Sequence, residues 1–154
     1  MNSMGHIDEL DRNILKIITN NARTPFKDVA AECHVSRAAV HQHVQKLFDN
    51  GVITGSGFQV DPKMLGYNLC LYVGITLEKG SMYKAVTAEL QKIPEVVESV
   101  FTLGAFSIII KLYARDDRHL MELLNGKIQC IPGISRTESL TVLETGINRQ
   151  LPID

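Results

Sequence analysis

Between Ser36 and Asp49 the chain carries residue types suited to reading bases: Arg37, Ala38, His41, Gln42, Gln45 and Lys46. If this run is a helix, Val40, Val44 and Leu47 fall at i, i+4, i+7 and form its buried side, with Phe48 on the flank. At about 100° per residue, Ala38, Gln42, Gln45 and Asp49 then point away, flanked by Ala39, His41 and Lys46. Arg37 lies nearer the core side, but at the N-terminal end its long side chain still reaches outward. Gln pairs bidentately with adenine, Arg with guanine, and Ala touches a thymine methyl. Small residues let such a helix approach the base edges. The chemistry implied is recognition of double-stranded DNA in the major groove. A solvated helix pair in a bundle would be amphipathic too. The short turn, the two short helices and the non-acidic outer face favour DNA.

That helix must be set on a frame, and the preceding residues supply one. Thr24 is expected to cap a helix with Pro25 at its first position, where the missing N–H costs nothing. Phe26, Val29, Ala30 and Cys33 give it one apolar stripe. His34 and Val35 make the turn, and Ser36 caps the reading helix. An earlier helix opens at Ile7-Asp8 with Asp8 as cap, carries Leu10, Ile14, Ile17 and Ile18, and ends at Asn20-Asn21. Together these form a three-helix unit. Arg23 and Lys27 are positioned for phosphates or for solubility alone. With the cap residues Thr24 and Ser36 they complete the expected DNA-contacting set. Met1 to His6 reads as a disordered leader. Gly51 stands at the C′ position of the reading helix. Gly51 to Asp61, with three glycines in its first seven residues, reads as a connection containing a short extended piece, Phe58 to Val60, able to pair with its copy in a dimer.

The second half has a different rhythm. Leu69, Leu71, Val73, Ile75 and Leu77 alternate strictly, as in a strand with one buried face. Lys79-Gly80 turns. Met82, Val86, Leu90 and Ile93 space a helix that Pro94 stops. Val96 to Leu103 and Ser107 to Ala114 read as strands about a Gly104-Ala105 turn. Leu120, Leu123, Leu124 and Ile128 mark another helix, Pro132-Gly133 a turn, and Ile134 to Leu143 the last strand. The order βαββαβ is ferredoxin-like, with two helices on one face of an antiparallel sheet. The other face needs cover, most simply by a second copy of the chain. The expected class is α+β, with a helix-turn-helix domain at 1–50, a connection at 51–63 and a sheet domain at 64–154.

Composition narrows the function. The chain has 154 residues and a net charge of −1. Its first 60 residues balance six Lys/Arg against six Asp/Glu. That argues against a largely electrostatic, architectural DNA binder and for avidity through self-association. Cys33, Cys70 and Cys130 are too far apart for a disulfide framework or a Cys-x-x-Cys site. Cys33, on a core stripe, reads as a buried free thiol. A metal sensor built on His34, His41, His43 and Cys33 is disfavoured, because His41 and His43 point to different sides of a helix; they read as surface histidines, and no metal or other cofactor is expected. No nucleophile with paired acids and no phosphate-cradling loop suggests an enzyme. With no signal peptide and no membrane-length apolar run, a cytoplasmic protein is expected, with no membrane partner.

The stretches IDELDRNIL, NARTPFKDVA, GVITGSGFQVDPKMLGY, VGITLEKG, TLGAFSIIIK and KIQCIPGISRTESLTVL occur in an order and spacing that resembles the Lrp/AsnC (feast/famine) family of transcriptional regulators, over about Ile7 to Arg149. GVITG…DPKMLGY and the NART segment look most like its asparagine-responsive branch. The resemblance implies a winged-type helix-turn-helix and a ferredoxin-like effector domain of the RAM or ACT kind. It also implies a dimer through that domain, dimers assembled into octamers or similar rings, DNA wrapping or bridging, and an amino-acid effector between dimers. It places the effector loop at Thr102, Leu103, Gly104, Ala105, Phe106 and Ser107. A glycine turn exposes backbone N–H groups to an α-carboxylate, and Ser107 adds a hydroxyl. Ser107 stands where amino-acid-responsive relatives often carry an acid, which weakens the ammonium contact at this loop. The opposite wall is expected from Gln129 to Gly133, including Pro132, and from Arg136, Thr137 and Glu138. Phe106 is expected in the core.

Overall fold

The computed structural model describes residues 6–154, so Met1 to Gly5 of the expected leader lie outside the described residues. The chain forms two compact units, one running up to Gln59 and taking in 147–154, the other spanning 60–146. The last eight residues, expected with the sheet domain, thus belong to the first unit.

In the first unit α1 spans Glu9–Asn20, α2 Phe26–Glu32 and α3 Arg37–Asp49. A reciprocal box starts α1: the Asp8 carboxylate accepts from the Asp11 amide at 2.7 Å, and the Asp11 carboxylate accepts from the Asp8 amide at 3.0 Å. Two of the four amides that a helix start leaves unpaired are thereby satisfied. Ile14, Val29, Ala30, Val40 and Val44 form the common core, with Leu10, Ile17, Ile18, Phe26 and Cys33 packed on it. Leu15, not foreseen, is buried as well. Thr24 does not cap α2. Its hydroxyl donates to the Asn21 carbonyl at 2.9 Å, and Pro25 takes the cap position without a side-chain bond. His34 makes the turn at φ 57, a left-handed conformation that few non-glycine residues adopt. Gly51, at φ 71, ends α3, its amide on the Phe48 carbonyl while the Val52 amide reaches Leu47. Residues 54–60, with the extended piece at Phe58 to Val60, form no strand pairing among the described residues.

In the second unit β1 spans Leu69–Leu77, α4 Tyr83–Leu90, β2 Val96–Phe101, β3 Ile108–Ala114, α5 Asp117–Leu123 and β4 Ile134–Thr141. The sheet is antiparallel in the order β2-β3-β1-β4. Alternation assigns its faces. Leu71, Val73, Ile75 and Leu77 meet Ile108, Ile110, Leu112 and Ala114 beneath Val86, Leu90, Leu123 and Ile128 of the helical layer. Helix α4 ends at Leu90, before Pro94 can act, with Gln91 as its C-cap. After α5 the chain makes a wider π-helical turn, Leu124–Ile128, that one continuous helix would not contain. Strands β2 and β4 each stop two residues short of expectation. No helix among the described residues is long and apolar enough to cross a membrane.

Candidate functional site

Helix α3, expected to read bases, starts where Ser36, in extended conformation, accepts the Ala39 amide at 3.1 Å. With Val40, Val44 and Leu47 buried, Arg37, Ala38, His41, Gln42 and Gln45 are all exposed. Gln45 donates along the helix to Asp49 at 2.9 Å. His41 rests edge-on against Phe26, ring centroids 4.6 Å apart, and so ties α2 to α3. Lys27 is exposed. The Arg23 guanidinium lies 5.0 Å over the Phe58 ring, so this cation already has an aromatic partner in the connection.

Lys46 departs from its expected place. Its ammonium lies 2.9 Å from Asp11 and 3.9 Å from Asp8, on the side of α3 facing α1. Asp11 is fully buried. His43, read as a surface histidine, brings Nδ1 to 2.6 Å from the other oxygen of the same carboxylate. Burial alone pushes the Asp11 carboxyl up. Bonds from His43, Lys46 and the Asp8 amide outweigh it and hold the group at about 2, below the ordinary 3.8. The donor atoms of Asp8, Asp11 and His43 all lie within 4.8 Å of one another, as metal ligands would. The Lys46 ammonium, 2.9 Å from Asp11 and 3.9 Å from Asp8, supplies a cation to the same two carboxylates. One sequence signal would have found this group: Asp8 at the cap and Asp11 in the first turn of α1, and His43 and Lys46 on α3, share i, i+3 spacing and therefore sides of their helices.

In the second unit the 102–107 turn is closed by its own bonds. The Thr102 hydroxyl donates to the Phe106 carbonyl at 2.7 Å and its amide to the Ser107 carbonyl at 2.9 Å. The Ser107 amide donates to Ile75 at 2.9 Å, and its hydroxyl accepts from Leu77 at 3.4 Å. Gly104 has φ 146, and the amides of Leu103, Gly104, Ala105 and Phe106 have no backbone partner among the described residues. Ile75 pairs with Ile108 on one side and Thr137 on the other, which puts the turn and Thr137 about 10 Å apart at one end of the sheet.

The other expected residues divide between faces. Gln129 donates to Thr137 at 3.0 Å, and Thr137 lies in the row of Ile75, on the helix side. Arg136 and Glu138, 3.3 Å apart, pair with Thr76 and Gly74 on the opposite face. Phe106 is there too, not in the core: its ring covers Gly74, where an added Cβ would lie 2.6 Å from it. Pro132 is exposed in the turn before β4, and Gly133, at φ 100, accepts the Glu78 amide at 2.8 Å.

Residues 70–151 match the model described as the Lrp/AsnC ligand binding domain, and 7–54 match a winged helix-turn-helix DNA-binding model. The chain belongs to the Lrp/AsnC family. It is 39% identical to the regulatory protein AsnC of Escherichia coli K12, over 94% of this chain and 95% of that one. It is 36% identical to AsnC of Haemophilus influenzae, over 96% and 99%. The solved E. coli AsnC structure superposes with a TM-score of 0.89, covering 95% of this chain and 98% of that one. A feast or famine regulatory protein from M. tuberculosis, complexed with L-methionine, superposes with a TM-score of 0.89 at 26% identity, covering 97% of this chain and 100% of that one. Lrp/AsnC membership makes this chain a transcriptional regulator with a helix-turn-helix DNA-binding part and a ligand-binding part, and not an enzyme.

Proposed function

We propose that this regulator reads a specific operator through Arg37, Ala38, His41, Gln42 and Gln45, with Ser36, Thr24, Lys27 and Arg23 toward the phosphates, and that it responds to a small polar amino acid of the asparagine type. It acts in the cytoplasm as a dimer closed through the helix-free face of the sheet, and dimers associate further, to an octamer or similar ring. Support for the dimer is an apolar patch on that face, where Tyr72, Val100 and Leu140 are exposed beside Ile109 and Phe106, with the Arg136–Glu138 pair on the edge strand.

The observation that carries the effector reading is the glycine turn, whose four consecutive amides lack backbone partners among the described residues. Such a cluster suits an α-carboxylate. The M. tuberculosis relative's complex with L-methionine supports an α-amino acid as the class. In our reading the ligand lies between this turn and Gln129 to Gly133 of another copy. Ser107, Gln129 and Thr137 offer neutral donors and acceptors suited to a side-chain amide. An aliphatic side chain would leave them unpaired, at about 1–3 kcal/mol each.

The test is calorimetric titration of the wild type and Gly104→Val with asparagine, glutamine, methionine and leucine. Asparagine should bind the wild type and not the variant, because a β-branched residue resists φ 146. DNA affinity of the dimer should survive the change. Binding of leucine or methionine without the amides would overturn the specificity, and no binding by any of the four would overturn the site.

A further inference from the structure

We propose that Asp11 is a positioning residue for DNA reading: from inside the first unit it grips His43 and Lys46 and thereby sets the roll of the recognition helix. This rests on the operator-reading role of α3 proposed above. The apolar seat of α3 is made by Val40, Val44 and Leu47 against the core. Such contacts are non-directional and tolerate small rotations. The Asp11 carboxylate is different. It is fully buried, it is anchored to α1 by the Asp8 amide at 3.0 Å, and its two oxygens take His43 at 2.6 Å and Lys46 at 2.9 Å. These two donors lie one turn apart on α3, so they fix both its rotation and its height.

The residues that read bases immediately precede the gripped ones. Gln42 adjoins His43 and Gln45 adjoins Lys46, each offset by about 100° around the axis. Setting the inner pair therefore sets the outer pair. A roll of about 20° moves a side-chain tip, about 5–6 Å from the axis, by about 2 Å. Bidentate pairing with adenine does not survive that displacement, because hydrogen bonds operate within about 2.7–3.2 Å. Lys46 then serves specificity from behind the reading face, with its charge matched by Asp11 and Asp8 before any phosphate arrives.

The experiment uses the full chain and an operator selected by the wild type from random DNA. Operator and unrelated duplex affinities are measured for wild type, Asp11→Asn, Lys46→Met and Lys46→Arg, at a temperature where each retains its helical circular dichroism. Asp11→Asn should bind operator at least tenfold more weakly and unrelated DNA no more weakly, since it removes a negative charge. Lys46→Met should lose the same ratio with an unchanged salt slope, and Lys46→Arg should restore it. Equal loss on both duplexes with a shallower slope for Lys46→Met makes Lys46 a phosphate contact and overturns the proposal. So does an Asp11→Asn variant that keeps the ratio. If Asp11→Asn fails to fold, the Met and Arg variants decide alone. A wild type that selects no operator defeats the reading role of α3 itself, a different outcome from a discriminating wild type whose variants keep the ratio.

Discussion

A residue's chemistry is set by what its neighbours leave free, and Gln42 and Gln45 differ in this respect. Both are exposed on the outer side of α3, but Gln45 must release Asp49 before it can address a base. Gln42→Ala and Gln45→Ala should each relax base preference at one position, at about 1–3 kcal/mol per lost bidentate contact. The Gln45 loss should fall at the lower end, because its own helical bond offsets part of the gain. Footprinting with unchanged protected sequences for both would refute the assignment. Asp11 carries a second prediction at this scale. Its folded carboxyl is held at about 2 against an ordinary 3.8. A depressed acid contributes stability above the unfolded value and loses it as pH falls through the folded one. About 2 kcal/mol should therefore disappear between about pH 4 and pH 2. Denaturant melts across that range should show this limb in the wild type and a flatter one in Asp11→Asn. The cluster behind this prediction was hard to see in the sequence, because Asp8 already had a role as helix cap and His43 looked like one more surface histidine.

At the scale of elements, periodicity made nearly every helix and strand legible. β1 is the clearest case: its alternating leucines, valine and isoleucine locate Leu69–Leu77 to the residue. What periodicity does not carry is the local chemistry of ends and turns. Thr24 bonds backward to Asn21, leaving Pro25 as the cap. The π-helical turn at Leu124–Ile128 keeps an apolar spacing close enough to α to pass for one helix. Phe106 misled for a different reason. An aromatic beside a buried strand suggests core, but the strand offers it Gly74 on the other face, a site with no Cβ in the way. That contact predicts strong coupling. Gly74→Ala puts a Cβ 2.6 Å from the Phe106 ring and should destabilise the sheet unit by about 1–3 kcal/mol. Combining it with Phe106→Ala should cost less than the sum of the two single changes. Urea titrations of the four members of the cycle measure this, and simple additivity would mean the ring does not need the glycine.

At the scale of the whole molecule, the expectation of a second copy began as an argument about a small sheet with one uncovered face, and the geometry now names the residues on it. Tyr72 of β1 faces Leu140 of β4 across the register, and Val100 of β2 faces Ile109 of β3. Lys111 stands among them with its ammonium 5.7 Å from the rings of Tyr72 and Tyr113, so its charge is drawn over aromatic faces and the patch stays largely apolar. Two such faces packed together would bury these side chains at roughly 25 cal/mol per Å². Glu98 already faces Lys111 across the register, so a second carboxylate placed there has no cation of its own, and burying it unpaired costs several kcal/mol. Val100→Glu should therefore shift the full chain from dimers or larger even-numbered assemblies toward the 17.1 kDa protomer in sedimentation at micromolar concentration. Met121→Glu, on an exposed position of α5, should leave the dimer intact. Loss of operator affinity should accompany Val100→Glu, because one near-neutral reading head depends on a second for avidity. A wild type that sediments as a protomer, or a Val100→Glu variant that still dimerises, would rule out this face as the junction.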